Sequence, residues 1–281
     1  MKSYGARKAW NHMWTALCAA AVLVALAPLL SLLWLVVSRG APGLSLAFFV
    51  ERPTPVGEAG GGVGNAILGT FMMVAMATVF AVPVGVGTGV FLAEQGDDRF
   101  GGTVRFVTEV LSGVPSIVVG IVAYGLVVVP MRRFSAAAGA VALALLMVPP
   151  LARASEEFVR LVPATLREAS LALGVAQWRT SLRVVLRTAL PGILTAVLLA
   201  VARAAGETAP LLFTALNNQY WNTRPDQPMA SLTVQIFNYA ISPYDDWHQK
   251  AWSAALVLLL LVGTLNLVAR TLASGRLKGA R

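Results

Sequence analysis

The stretch Ala202-Arg203-Ala204-Ala205-Gly206-Glu207-Thr208 places two opposite charges inside an apolar run, 191–213, that is long enough to cross a bilayer. Arg203 lies near the midpoint of this run, and Glu207 lies one helical turn further on, on the same face of the predicted helix. An ionisable side chain in the middle of a membrane helix costs about 3 kcal/mol on insertion scales, so its presence indicates a function. These two residues are therefore the first candidates for a functional site.

Composition predicts a polytopic membrane protein. Apolar residues make up 57% of the 281 residues, charged residues make up 12%, and the mean hydropathy is +0.71. The formal net charge is +9, but the basic residues are scattered between apolar runs, so nucleic acid is not a predicted partner. Cys18 is the single cysteine, which excludes an intrachain disulfide, and the two histidines match no metal-ligand spacing. We expect the chain itself to bind no metal and no cofactor.

Six apolar runs of about 20 residues predict an all-α protein with six transmembrane helices. The runs are 14–37, 66–93, 107–129, 136–151, 191–213 and 251–272. The second and third contain several glycines and prolines, which bundled membrane helices tolerate and which permit close helix approach. Six spans place both termini on the same side of the membrane.

Lysine and arginine predict the orientation. Most of them lie near the N-terminus, in the second and fourth connections and in the C-terminal tail, and such residues accumulate on the cytoplasmic side. The predicted division is a cytoplasmic segment 1–13, a membrane domain 14–272 with its core at 65–272 and a long cytoplasmic loop at 153–190, and a cytoplasmic tail 273–281. The opposite side carries segments 38–64 and 214–250. Their Tyr and Trp side chains indicate an interfacial aromatic belt or, alternatively, a docking surface for an external partner.

The cytoplasmic loop 153–190 has the pattern of short helices. Thr165 and Glu168 have the spacing of a capping box, and Gly174 can adopt the left-handed conformation that ends a helix. Between them, Leu166, Ala169, Ala172 and Leu173 form an apolar face. A second helical stretch is predicted over 177–188, before Pro191 opens the fifth span at a first-turn position.

The loop resembles the EAA loop of ABC importer permeases, the element that docks into a cleft of the ATPase subunit. The matching residues are Glu168-Ala169-Ser170, Gly174 and, further on, Leu190-Pro191-Gly192-Ile193. Ser170 stands where alanine is usual, and Arg187 stands where the first of two prolines is usual. The resemblance implies that Thr165, Glu168, Ala169, Ser170 and Gly174 couple this chain to an ATPase.

Further segments resemble the permease pair of phosphate-specific ABC importers, and residues 214–219 resemble the A-type subunit. The segments are 61–70, 112–120, Glu156-Glu157 with Val162-Pro163, and 202–213. The resemblance implies the type I ABC importer permease architecture, the bacterial inner membrane as location, and phosphate as substrate. It also implies three partners: a C-type permease, a B-type ATPase homodimer that uses ATP and Mg, and an external phosphate-binding protein.

The chain has no ATPase signature of its own, because none of its four lysines follows a glycine and precedes Ser or Thr. It is therefore predicted to be a transporter subunit and not an enzyme. The closest alternative is a permease for another oxyanion or for phosphonate. A secondary transporter or channel is disfavoured by the EAA-like loop, and a membrane enzyme by the absence of any acid–base or nucleophile constellation.

Arg203 suits a phosphate path because its guanidinium stays protonated and can hold two phosphate oxygens at once. Glu207 can pair with Arg203 when the path is empty, or accept a hydrogen bond from protonated phosphate. Thr208 and Asn65 are the predicted polar liners of the path. The alternative for Arg203 and Glu207 is a structural ion pair that only fixes helix packing.

Overall fold

Long helices make up most of the chain, whose computed structural model describes residues 4–58 and 60–277. Those residues contain no β-strand, which agrees with the predicted all-α class. The helices are α1 (Tyr4–Gly40), α2 (Leu46–Val50), α3 (Gly64–Glu94), α4 (Arg99–Gly113), α5 (Ser116–Met131), α6 (Ala136–Arg160), α7 (Ala164–Ala172), α8 (Gln177–Ala205), α9 (Ala209–Thr214), α10 (Leu232–Ala240) and α11 (Asp245–Leu277). One turn in α5 and one in α8 are π-helical, Tyr124–Val128 and Ser181–Val185. Parts of the predicted terminal segments, residues 1–3 and 278–281, lie outside the described residues.

Within residues 4–58 and 60–277, five helices are long and apolar enough to cross a membrane: α1, α3, α6, α8 and α11. A sixth span results if α4 and α5 count as one, although the two helices meet at 106°. The predicted span 107–129 is therefore formed by two helices that meet at an angle and not by one continuous helix. Val114 is extended because the ring of Pro115 disfavours the helical conformation in the residue before it, and this breaks the helix.

The fifth span also differs from its prediction. The predicted helical stretch 177–188 and the first part of the predicted span 191–213 form a single helix, α8, which ends at Ala205. Pro191 lies inside this helix and not in a first turn. The segment after Ala205 forms the separate short helix α9.

Helices α3 and α6 run parallel and form the centre of the molecule. A Cβ atom at Gly85 would lie 2.7 Å from Cβ of Leu151, and one at Gly89 would lie 2.5 Å from Cβ of Ser155. The two backbones approach so closely only because these positions lack a side chain. The predicted close approach is confirmed at Gly85 and Gly89, whereas Gly87 faces open space.

The buried core extends from this contact. It consists mainly of small and unbranched side chains from α3 and α6, joined by residues of α8, α9 and segment 215–234. Its members include Met73, Ala77, Ala81, Ala140, Leu143, Met147, Leu151, Ala200, Ala204, Leu211, Met229 and Val234. Helix α1 lies outside this core and is held by α11, where Ser253 Oγ donates to the carbonyl oxygen of Gly40 at 2.9 Å.

One end of the bundle, here called the loop end, carries Glu94, Arg160 and segment 161–176. The predicted capping box there is wrong, because α7 begins at Ala164 with Pro163 at the N-cap and no side-chain bond. Proline is tolerated at the start of a helix because a backbone N–H at that position would have no partner within the helix. Because the helix starts at Ala164, Thr165 lies inside its first turn and not at the cap. The predicted stop at Gly174 is confirmed: its φ is +77°, and the N–H groups of Gly174 and Val175 donate to Leu171 and Ser170 in the paired pattern of a Schellman motif.

The opposite end is closed by segment 215–231, which folds over the start of α6. The first backbone N–H groups there donate to carbonyl oxygens of the neighbouring segment: Ser135 to Thr214, Ala136 to Gln227 and Ala137 to Pro225. Asparagines hold the segment in shape, since Asn217 Nδ2 donates to Gln235 Oε1 and Asn218 Nδ2 donates to the carbonyl oxygen of Pro228. Residues 214–219 thus have a structural role, since Asn217 and Asn218 stabilise the fold of this segment.

The aromatic residues at this end do not form a single belt. Tyr220, Trp221 and Tyr244 are exposed, but Tyr239 is buried and its ring centroid lies 5.1 Å from that of Trp247.

Two arginines, Arg133 and Arg224, lie 3.3 and 3.2 Å from Asp226 on the exposed surface. The hydrogen bonds from Arg224 hold the pKa of Asp226 below its ordinary value.

The contact between α3 and α6 yields a stability prediction. We expect Gly89→Ala to lower the free energy of unfolding by about 1–3 kcal/mol, because the new methyl group would collide with the Ala152 carbonyl and Ser155. Gly87→Ala is the matched control, since it adds the same group to the same helix in open space. Equal unfolding midpoints for the two purified variants in detergent would contradict this account of the packing.

Candidate functional site

Arg203 and Glu207 lie where α8 ends. Arg203 is in the last turn of the helix, Gly206 follows the final residue, and Glu207 lies in the connection to α9. Arg203 Nε and Glu207 Oε1 are 3.8 Å apart, an ion-pair contact that is too long for a hydrogen bond. The N–H groups of Gly206 and Glu207 donate to the carbonyl oxygens of Arg203 and Ala204 at 3.0 and 3.2 Å, which closes the last turn, and Pro210 lies in the first turn of the next helix. The prediction that Arg203 lies midway along its own helix is therefore wrong.

Arg203 nevertheless lies level with the middle of α6, because α8 ends against that part of α6. A narrow crevice brings Arg203 and Glu207 together with Leu146, Met147 and Pro150. Met147 is near the centre of α6, which is itself long enough to span a membrane. The depth predicted for this pair thus comes from the neighbouring helix.

The two side chains differ in exposure. The Arg203 side chain is 70% exposed, whereas that of Glu207 is 17% exposed. Within the described residues, the Arg203 guanidinium has no other charged partner. A guanidinium facing lipid at this depth would be costly, so this open face of the chain meets another protein or a water-filled passage.

Arg203 also affects the local field of the helix end. The last carbonyl groups of a helix carry a partial negative charge, which would repel an anion. A cationic side chain in the last turn offsets that charge. The end of α8 therefore presents an exposed cationic group level with the middle of α6, with a carboxylate close by.

Helix α9 is wedged between α5 and α6 beyond this point. A Cβ atom at Gly120 would lie 2.6 Å from Cα of Pro210, and one at Gly139 would lie 3.1 Å from Cβ of Ala215. Segments 112–120 and 202–213 thus meet at the contact between Gly120 and Pro210. The sequence contained both segments as motifs, but their spacing did not show that they touch.

Thr208 and Asn65 take different positions. Thr208 adjoins Glu207, and its hydroxyl makes no hydrogen bond to the described residues, so it is free to meet a ligand. Asn65 lies in the first turn of α3, where its Nδ2 donates to the carbonyl oxygen of Asn218 at 2.7 Å. Asn65 is buried, its Oδ1 has no partner among the described residues, and it does not line the crevice at Arg203.

A second candidate surface is α7 at the loop end. Its apolar residues Leu166, Leu171 and Leu173 are exposed, as are Thr165, Glu168 and Ala169. Ser170 is the exception: it is buried, and its Oγ lies 2.8 Å from Thr180 Oγ1 at the start of α8. Helix α7 therefore turns a polar face towards its own chain and an apolar face outwards, where a partner would cover it.

Residues 85–275 match the family described as the binding-protein-dependent transport system inner membrane component. The chain belongs to this family. The matched residues run from the second half of α3 into α11, and they include both candidate surfaces. The chain is thus a multi-pass membrane component of a transport system.

Members of this family that resemble the chain carry a common description. The phosphate transport system permease protein PstA of Yersinia pestis is 44% identical over 97% of this chain and 94% of its own length. That of Haemophilus influenzae is 42% identical over 94% of each chain. PstA 1 of Mycobacterium tuberculosis (strain ATCC 25618 / H37Rv) is 39% identical over 94% of this chain and 87% of its own length.

A solved structure shares the fold of this family member. It is an inward-facing form of the MetNI methionine ABC transporter, which superposes with a TM-score of 0.62 at 19% identity. The likeness covers 75% of this chain and 94% of the other. It confirms the predicted fold of an ABC importer permease.

The contact of α5 with α9 yields a prediction for transport. We expect Gly120→Ala to reduce transport by the assembled complex about tenfold or more, because a methyl group against the Pro210 backbone would displace the segment that holds Glu207. Gly125→Ala is the control on the same helix, since a methyl group there meets nothing within 4 Å. Uptake assays in proteoliposomes compare the two, and equal uptake would contradict the proposed contact.

Proposed function

We propose that this chain is the A-type permease subunit of an ATP-driven phosphate importer in the bacterial inner membrane. The observation that carries the proposal is an exposed arginine at mid-depth on an open face. The relatives described as phosphate transport system permeases support the choice of substrate. A C-type permease covers the open face, so that the path for phosphate forms between the two chains.

Arg203 lowers the barrier to an anion. Phosphate carries between one and two negative charges near neutral pH, and the bilayer core excludes a bare anion. The guanidinium offers a fixed fork of donors and, being 70% exposed, does not have to leave a buried pocket to reach the substrate. Thr208, which follows Glu207 in the chain, carries a hydroxyl that is a further donor or acceptor.

Glu207 keeps the site from holding phosphate too tightly. Its carboxylate is near Arg203 but not hydrogen-bonded to it, so the guanidinium keeps its donors available. A nearby negative charge also weakens the net attraction for the anion, and a conducting site needs affinity low enough for release. Protonated phosphate can in addition donate to this carboxylate.

The remaining partners, the ATPase and the phosphate-binding protein, bind at the two ends of the bundle. The loop end is cytoplasmic, together with both termini, and the exposed leucines of α7 dock on a B-type ATPase homodimer that binds ATP and Mg. The opposite end faces outwards and receives an external phosphate-binding protein on the surface built from segments 38–64 and 214–250. This assignment agrees with the distribution of lysine and arginine.

The role of Arg203 is tested by Arg203→Gln. We expect at least a hundredfold loss of phosphate uptake in proteoliposomes that contain the whole complex, while co-purification of the ATPase is unchanged, because among the described residues Arg203 is the one cation that lines the crevice. Arg270→Gln is a control, as it removes a positive charge from α11 at a position that does not line the crevice. Uptake near the wild-type rate would exclude Arg203 from the path.

The substrate is tested by the anion that accelerates ATP hydrolysis in the same complex. Phosphate is expected to do so in the presence of its binding protein, and sulfate and alkylphosphonates are not. Stimulation by one of the other anions instead would assign the chain to another importer of the same architecture.

The docking of α7 is tested at Gly174. Its φ of +77° strains any residue with a side chain, so Gly174→Val should deform the end of α7 and reduce the phosphate imported for each ATP hydrolysed. Gly263→Val is the control, because a side chain at Gly263 in α11 also meets nothing within 4 Å and lies outside α7. If both variants import as much phosphate for each ATP as the wild type, α7 is not the docking element.

A further inference from the structure

The carboxylate of Glu94 is a nearly enclosed charged group outside the proposed path. It lies at the end of α3, its side chain is 11% exposed, and it carries two kinds of partner. Arg167 Nε donates to Oε1 at 3.1 Å, and Ser181 Oγ donates to Oε2 at 2.7 Å. Glu94 therefore connects three separate segments: the end of α3, helix α7 through Arg167, and the start of α8 through Ser181.

The guanidinium of Arg167, like the carboxylate of Glu94, makes several hydrogen bonds. Besides Glu94, it donates to two carbonyl oxygens at the end of α6, to Val162 at 3.0 Å and to Val159 at 2.9 Å. Carbonyl groups at a helix end lack partners within the helix, so a cation there is favourable. A single side chain thus binds α7 both to α3 and to α6.

Few other contacts could fix α7. Its leucines point outwards, and its buried side chain, Ser170, binds only to Thr180 at the start of α8. Directly beneath Glu94 and Arg167 lies an apolar cluster shared by α3, α6 and α8, which contains Val90, Ala93, Val159, Val162, Val185 and Ile193. Arg167 and Glu94 therefore sit between a firmly packed part of the bundle and a helix that is attached mainly by polar bonds.

We propose that Arg167 and Glu94 form a latch that makes α7 move as one body with the ends of α3 and α6. The proposal rests on the proposed function in one respect: the force on α7 comes from the ATPase. Arg167 is a positioning residue, since it touches neither substrate nor nucleotide. The planar fork of arginine reaches three acceptors in fixed directions, which the point charge of lysine cannot do.

The chain contains a matched control for this latch. Arg105 of α4 lies at the same end and also makes three hydrogen bonds, to Glu156 Oε1 at 2.7 Å and to the carbonyl oxygens of Gly96 and Leu92. Its exposure, 29%, is close to the 24% of Arg167. It differs in one respect, because none of its bonds involves α7.

The experiment compares Arg167→Met with Arg105→Met in the complete complex, purified with its ATPase and placed in lipid nanodiscs or proteoliposomes. We expect Arg167→Met to speed hydrogen exchange in residues 164–173 about tenfold and to lower the phosphate imported per ATP by a similar factor. Arg105→Met should change neither quantity more than about twofold. Arg167→Lys, which keeps the charge, should resemble Arg167→Met and not the wild type.

Either of two results would overturn the latch: unchanged exchange and coupling in Arg167→Met, or an equal loss in Arg105→Met, which would indicate general loosening of this end. The proposed function is tested separately by the wild-type complex. If phosphate fails to accelerate its ATP hydrolysis, the proposed function fails, and the exchange comparison at residues 164–173 still decides the latch.

Discussion

The close approach of α3 and α6 is the contact on which the rest of the structure depends. At Gly85 and Gly89 the second backbone occupies the space that a side chain would need. Such a contact is stabilised by van der Waals packing, because lipid gives apolar helices little reason to associate. The remaining elements attach to this pair: α8 ends against the middle of α6, α9 fills the groove beside it, and segment 215–231 closes its start.

Two helices, α8 and α9, end or begin inside the bundle, and their backbone groups determine the electrostatics near Arg203. Lipid forbids unpaired backbone groups, so a helix can end at membrane depth only where protein or water meets those groups. Here α5 and α9 both begin inside predicted spans, with Pro115 and Pro210 at their starts, and the two helices pack on each other at Gly120. The end of α8 is an unsuitable place for an anion by itself, because its carbonyl groups are partly negative. On the proposed function, the cationic side chain of Arg203 offsets that partial charge, which would explain a costly charge in the last turn.

Much of the fold could be predicted from the sequence, because apolar runs of sufficient length have few alternatives to membrane helices. The ends of the helices could not. Apart from Arg203 and Glu207 the run 191–213 is almost entirely apolar, so hydropathy does not reveal that α8 ends at Ala205 and that α9 begins at Ala209. Thr165 and Glu168 have the spacing of a cap, yet Pro163 starts the helix before them. Arg167 and Glu94 are far apart in the chain, and their pairing depends on the packing of three helices, so Arg167 appeared only as one of many basic residues that indicate the cytoplasmic side.

The structure also constrains how a signal could travel from one end to the other. Because α3 and α6 touch backbone to backbone, they cannot slide or separate without loss of that contact, and they move together. Helix α8 is different: it starts beside Glu94 at the loop end and ends at Arg203, but it meets α6 through small residues such as Ala200 and Ala204. On the proposed function, a displacement of α7 that pulls on the ends of α3 and α6 changes the relation of α6 to α8 in the middle of the bundle. On the proposed function, the crevice between Met147 and Arg203 is where that relative movement reaches the substrate path. Helix α7 is thus connected to Arg203 through two rigid helices, α3 and α6, and through one adjustable contact, that between α6 and α8.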